Sequence, residues 1–166
     1  MNVEQKIGIL LKKYGYTLSA AESCTGGRIS HLITTVSGSS AYYLGSVTSY
    51  AVSVKVNVLK VPADVIATAG VVSSEVAAAM AKGVRKLTGS TFAVATTGLA
   101  EGGDEHYPEG TVWIGVCGPA GTSTLLYQYN NGRKANIKRF TTVALHFLLK
   151  NIESYINTNK PTGKTF

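Results

Sequence analysis

A chain of 166 residues, 45% of them hydrophobic, can bury one core without staples, and two cysteines lacking metal-ligand spacing, Cys24 and Cys117, exclude a disulfide scaffold or zinc module. No apolar run approaches the ~18 residues that span a bilayer, and Met1-Asn2-Val3-Glu4 does not read as a secretory leader, so a cytoplasmic protein with reduced thiols and no membrane partner is expected. The net charge of +7 admits an anionic ligand or a nucleic acid, but no nucleic-acid module signature accompanies it, which argues against the second.

In chain order, Ile7, Leu10 and Leu11 mark an amphipathic helix ending near Gly15, and Tyr16 to Ala20 reads as a short strand. Ile29, Leu32, Ile33 and Val36 follow at helical spacing after Gly26-Gly27. Ser37 to Ser40 is a turn, and Tyr42 to Tyr50 a second strand. Val52, Val54, Val56 and Val58 alternate with smaller or polar residues, which by period is a strand, although a short β-branched helix fits the same residues. A cap at Ser73 opens a helix carrying Val76, Met80, Val84 and Leu87, closed by Gly89. Thr91 to Thr97 is a buried strand, and Thr111–Gly118 with Thr122–Tyr129 form a hairpin through Pro119-Ala120-Gly121. A long helix runs from about Lys134 to Tyr155, with Arg133, Lys134, Lys138 and Arg139 reading as a solvated face.

This alternation predicts an α/β fold: a single layered domain, residues 1–156, with a mixed β-sheet covered by helices on both faces. Residues 157–166 lack periodicity and are expected to be a loose polar tail.

The chemistry concentrates at Ser19-Ala20-Ala21-Glu22-Ser23-Cys24-Thr25-Gly26-Gly27-Arg28. A strand-to-helix turn of small polar residues and glycines presents backbone N–H groups that suit an oxyanion or a phosphate. Ser23 or Thr25 acting only as an N-cap explains the same residues. His31, His106 and His146 have no context suggesting a base, and no metal motif is present. Cys24 at a helix N-terminus is a candidate thiolate, or a buried small residue. The remaining option is a serine served by lysine. Lys55, between Val54 and Val56, is the one lysine with an apolar local context.

These residues resemble a family. Ala21-Glu22-Ser23-Cys24-Thr25-Gly26-Gly27, then Gly38-Ser39-Ser40, then Tyr50 with Lys55, is similar to the CinA C-terminal domain family. Gly70-Val71-Val72-Ser73, Val76-Ala77, Met80-Ala81, Thr97-Gly98-Leu99-Ala100, Gly110-Thr111-Val112 and Gly132-Arg133 continue the match over nearly the whole chain. The resemblance implies hydrolysis of the carboxamide of nicotinamide mononucleotide to the acid and ammonia, with Ser23 as nucleophile and Lys55 and Tyr50 assisting. It also implies that the segment after Tyr50 turns into a helix. Backbone N–H groups around Thr25, Gly26 and Gly27 would hold the oxyanion, and Arg133 with a Thr97-Gly98 turn the phosphate. No cofactor and no metal are required; a small-molecule nucleotide substrate and a homo-oligomer are expected.

One loop departs from the family pattern. Ala100 to Gly110 carries Glu101, Asp104, Glu105 and Glu109, with Glu101-Gly102 in place of Gly-Pro and Tyr107 in place of lysine. Either these side chains point to solvent, or they border the site and repel a phosphate.

Overall fold

The computed structural model describes residues 1–159. Helix α1 (Val3–Tyr14) opens on a capping box, in which the Asn2 side chain accepts the Gln5 N–H and the Gln5 side chain accepts the Asn2 N–H. Strand β1 (Leu18–Glu22), helix α2 (Arg28–Thr34), a 3₁₀ turn (Ser39–Ala41) and strand β2 (Tyr43–Thr48) follow. Then come helices α3 (Val52–Asn57), α4 (Ala63–Ala69) and α5 (Ser74–Thr88). The chain closes with strands β3 (Phe92–Leu99), β4 (Thr111–Gly118) and β5 (Gly121–Gln128) and helix α6 (Arg133–Thr158).

The sheet order is β2-β1-β3-β4-β5, with β1 parallel to β2 and β3, and β4 antiparallel to β3 and β5. The two-residue turn Pro119-Ala120 makes the expected hairpin, pairing Gly118 with Gly121. Successive residues on a strand face opposite ways. Leu18, Ala20, Phe92 and Val94 therefore pack on one side with Ile7 and Leu11 of α1, Ile29 and Ile33 of α2, and Phe140 and Leu148 of α6. Ala21, Ala93 and Ala95 face the other side, against Val76, Met80 and Val84 of α5. Small residues dominate that side because α5 lies close to the sheet. A Cβ on Gly115 would run into the Ala77 carbonyl oxygen.

Three sequence expectations need correction. The valine alternation after Tyr50 is helix α3, as the resemblance implied and the period did not. The reason is pairing: the β1–β2 register ends at Glu22–Thr48, so a strand continuing past Thr48 would have no ladder on β1. Helix α4 went unpredicted between Pro62 and Ser73; it has no fully buried residue and hence no sharp apolar stripe. The last helix continues through Thr158, so the tail does not begin at 157, and residues 160–166 of that tail lie outside the described residues.

This topology creates the crevice. Neighbouring strands β1 and β2 both end at the same edge of the sheet, but β1 continues into α2 on one face and β2 into α3–α5 on the other. Such a divergence leaves an opening beyond the carboxyl ends of the strands. Ser23 sits one residue beyond β1, and Ser49 and Tyr50 directly beyond β2.

Candidate active site

The turn after β1 is held from below by Glu22. Its fully buried carboxylate accepts the Thr25 hydroxyl (2.7 Å) and the backbone N–H groups of Ile29 (2.8 Å) and Ser30 (3.0 Å). Thr25 also hydrogen-bonds the Thr96 hydroxyl at 2.8 Å, tying the turn to β3. Gly26 (φ 61°) and Gly27 (φ 98°) adopt left-handed backbone, which residues with a Cβ resist. Together these contacts fix the position of Ser23, whose N–H donates to the Thr96 carbonyl at 3.1 Å.

The helix-end reading of this turn is thereby revised. The first donors of α2 are consumed by Glu22, and the Gly26 N–H donates to the Ser23 carbonyl at 3.0 Å. Among the described residues, the N–H groups of Cys24, Thr25 and Gly27 have no acceptor.

Opposite Ser23 stands Lys55 of α3. It is 1% exposed, and its Nζ lies 3.0 Å from Ser23 Oγ, 2.6 Å from the Ser49 carbonyl oxygen and 3.5 Å from the Tyr50 carbonyl oxygen. Burial pulls its pKa below the ordinary 10.5. An ammonium here donates to all three oxygens. A neutral amine keeps its two N–H groups on the carbonyls and turns its lone pair to Ser23, accepting the hydroxyl proton. The site thus contains a proton acceptor already aimed at a hydroxyl.

Cys24, next to this pair, is chemically quiet. Burial, the dominant cause, pushes its thiol pKa up to about 12 despite a hydrogen bond with Thr96, so almost no thiolate exists near neutral pH. His31 and His146 are exposed on their helices, and His106 contacts Glu105 in the loop. Among the described residues, no three His, Cys, Asp or Glu side chains converge as metal ligands.

The rim is built by Tyr50, Arg133 and Glu101. Tyr50 is 62% exposed, and its hydroxyl accepts from Arg133 Nη2 at 3.1 Å, so it is not placed between Lys55 and Ser23; only its carbonyl approaches Lys55. Arg133 Nη1 lies 3.7 Å from Glu101 Oε2. The Tyr50 hydrogen bond, with Glu101 as a smaller cause, raises the Arg133 pKa above its ordinary value. Arg133 is thus not simply a solvated helix residue, and neither is Arg139, which donates to the Tyr127 hydroxyl at 2.9 Å.

Thr97 and Gly98 are not a turn but part of β3. Thr97 donates its hydroxyl to the Val71 carbonyl at 2.9 Å, and Gly98 pairs with Val112. Gly98 packs so tightly under β4 that a Cβ would meet the Thr111 carbonyl oxygen at 2.6 Å. Both belong to the β3–β4 ladder and do not form a phosphate-binding turn. In the acidic loop, Asp104 accepts the N–H groups of His106 and Tyr107 and so holds the loop's own turn. Glu101 alone of the four carboxylates pairs with Arg133.

Sequence reasoning missed Glu22, the Ser49 carbonyl and Asn136. Asn136 is fully buried, donates to the Ala100 carbonyl at 3.0 Å and accepts the Asn131 N–H at 2.8 Å, joining α6 to the loop before Glu101. A backbone carbonyl has no sequence signature, but an acid directly before a Ser-Cys-Thr-Gly-Gly turn was a signal for Glu22. A groove of about 1110 Å³ runs elsewhere, along α5 past Leu59, Pro62, Ala79 and Leu87, and none of Ser23, Lys55, Tyr50 and Arg133 lines it.

Residues 1–152 match the family model described as the CinA C-terminal domain. A CinA-like protein of Cytophaga hutchinsonii is 43% identical over 150 residues, covering 89% of this chain and 36% of that protein. One from Acaryochloris marina is 48% identical over 128 residues, covering 76% and 30%. The chain therefore spans about a third of the length of these curated relatives. Among solved structures, the competence damage-inducible protein A of Klebsiella pneumoniae superposes with a TM-score of 0.89 at 28% identity, covering 93% of this chain and 99% of that one. The competence/damage inducible protein CihA of Agrobacterium tumefaciens gives 0.83 at 31% identity, covering 89% and 92%.

Proposed function

Because the chain belongs to the CinA C-terminal domain family, we propose that it is an amidohydrolase converting nicotinamide mononucleotide to nicotinate mononucleotide and ammonia. The observation that carries this reading is the buried Lys55 Nζ, 3.0 Å from Ser23 Oγ with its other donors engaged on carbonyls. Neutral Lys55 takes the Ser23 proton as Oγ attacks the carboxamide carbon. The tetrahedral oxyanion is held by the turn's uncommitted N–H groups, those of Cys24, Thr25 and Gly27, one such donor being worth about 3 kcal/mol of transition-state stabilisation. Protonated Lys55 then delivers its proton to the amide nitrogen, the C–N bond breaks and ammonia leaves, and water cleaves the acyl-serine with Lys55 again as base. Burial serves this cycle by making the ammonium a ready proton donor.

Arg133 at the rim holds the phosphate, oriented by Tyr50, and the two together set the distance between phosphate and carboxamide. Tyr50 acts in this scheme on binding, not on proton transfer. The test is direct: purified protein is incubated with nicotinamide mononucleotide, nicotinamide riboside, nicotinamide and the dinucleotide, and ammonia and the acid are quantified. Stoichiometric release from the mononucleotide supports the proposal. No release from any of the four removes the amidase reading.

A further inference from the structure

We propose that Glu101 is the specificity-determining residue of this site. Its carboxylate occupies Arg133 in the free protein, and an incoming phosphate has to displace it. The inference rests on the reading of Arg133 as the phosphate-binding side chain. Arg133 uses one terminal nitrogen on the Tyr50 hydroxyl at 3.1 Å and points the other at Glu101 across 3.7 Å. The first contact is a formed hydrogen bond. The second is a looser ion pair between side chains 45% and 68% exposed, which a doubly charged phosphate can replace.

The pair is built in rather than left to a wandering loop. Asn136, one helical turn after Arg133 and fully buried, grips the carbonyl of Ala100, the residue immediately before Glu101. The same helix turn therefore carries the cation and anchors the backbone that presents the anion. A phosphate that takes Arg133 also finds the displaced carboxylate nearby, so the charged substrate is penalised twice. An amide lacking phosphate pays neither cost. Glu101 thus shifts selectivity from mononucleotides toward uncharged carboxamides.

Calorimetric titration with ribose 5-phosphate tests this in four proteins: wild type, Glu101→Gln, Arg133→Met and the double variant. Glu101→Gln is expected to tighten binding about twofold to fivefold, the range of an exposed ion pair, with the gain shrinking in 1 M salt. In the Arg133→Met background the same change should give a clearly smaller gain, because only the direct repulsion between Glu101 and the phosphate is left to relieve. Unchanged affinity in the single variant, an equal gain without Arg133, or no binding by either the wild type or Glu101→Gln overturns the inference. Ammonia release from nicotinamide mononucleotide is measured in parallel. Turnover without the affinity gain sinks this inference alone, and the gain without turnover of the mononucleotide, the riboside, nicotinamide or the dinucleotide sinks the amidase reading alone.

Discussion

Ser23 Oγ and Lys55 Nζ stand 3.0 Å apart although 32 positions separate them in the chain. The contact closes because β1 and β2 end side by side and α3 folds back over the opening. Lys55 gives up hydration to reach this place, and only two backbone carbonyls and one hydroxyl replace it. A lysine so placed is poised to lose its proton.

Ser23→Ala should reduce turnover by at least ~10³-fold, since nothing else nearby can form the acyl intermediate. Cys24→Ala should retain most activity, because its thiol is buried and protonated. Rates for both variants, with thermal melts to confirm folding, decide the assignment. Loss confined to the cysteine variant reverses it.

The rate should rise with pH through an apparent pKa below 10.5, and Lys55→Arg should be close to inactive, as a guanidinium cannot release a proton. Stability carries the same sign. Below the lowered folded pKa both states are protonated and the fold bears the full cost of a buried ammonium. Between that value and 10.5 the unfolded chain binds more protons, so stability rises with pH. Lys55→Met removes this dependence. Denaturant titrations of the two proteins across alkaline pH should show the wild type gaining on the variant.

Tyr50→Phe should raise KM for the mononucleotide about twofold to tenfold, the worth of one hydrogen bond, and leave kcat nearly unchanged. Lys55 contacts only the Tyr50 carbonyl, which the substitution keeps. A collapse of kcat with unchanged KM would instead put the hydroxyl in the proton path.

Glu22→Gln should cost about 1–3 kcal/mol of stability, because the amide turns a donor toward the Ser30 N–H, leaving a buried group unsatisfied. The turn bearing Ser23 loosens with it, so kcat should fall more than KM rises. Denaturation midpoints together with steady-state kinetics separate the two effects, and a variant as stable and as active as the wild type would remove Glu22 from the positioning of Ser23.

Much of this molecule was legible along the chain. The apolar stripes of α1, α5 and α6, the glycines of the Ser23 turn and the Pro119-Ala120 hairpin are local features, written in spacing and backbone preference. Lys55 was marked by its valine neighbours, and the ordered motifs pointed to the family. The same valines misled on α3, because whether an alternating segment pairs depends on whether a neighbouring strand still has free N–H and C=O groups, and β1 ends at Glu22. The tasks of the polar groups were likewise settled only in three dimensions. Glu22 serves α2 instead of a ligand, Tyr50 turns its hydroxyl to Arg133, and Glu101 meets Arg133 because buried Asn136 brings Ala100 to α6. A polar side chain is assigned by whichever partner the fold brings within hydrogen-bond reach, and for Tyr50, Glu101 and Asn136 that partner lies tens of residues away.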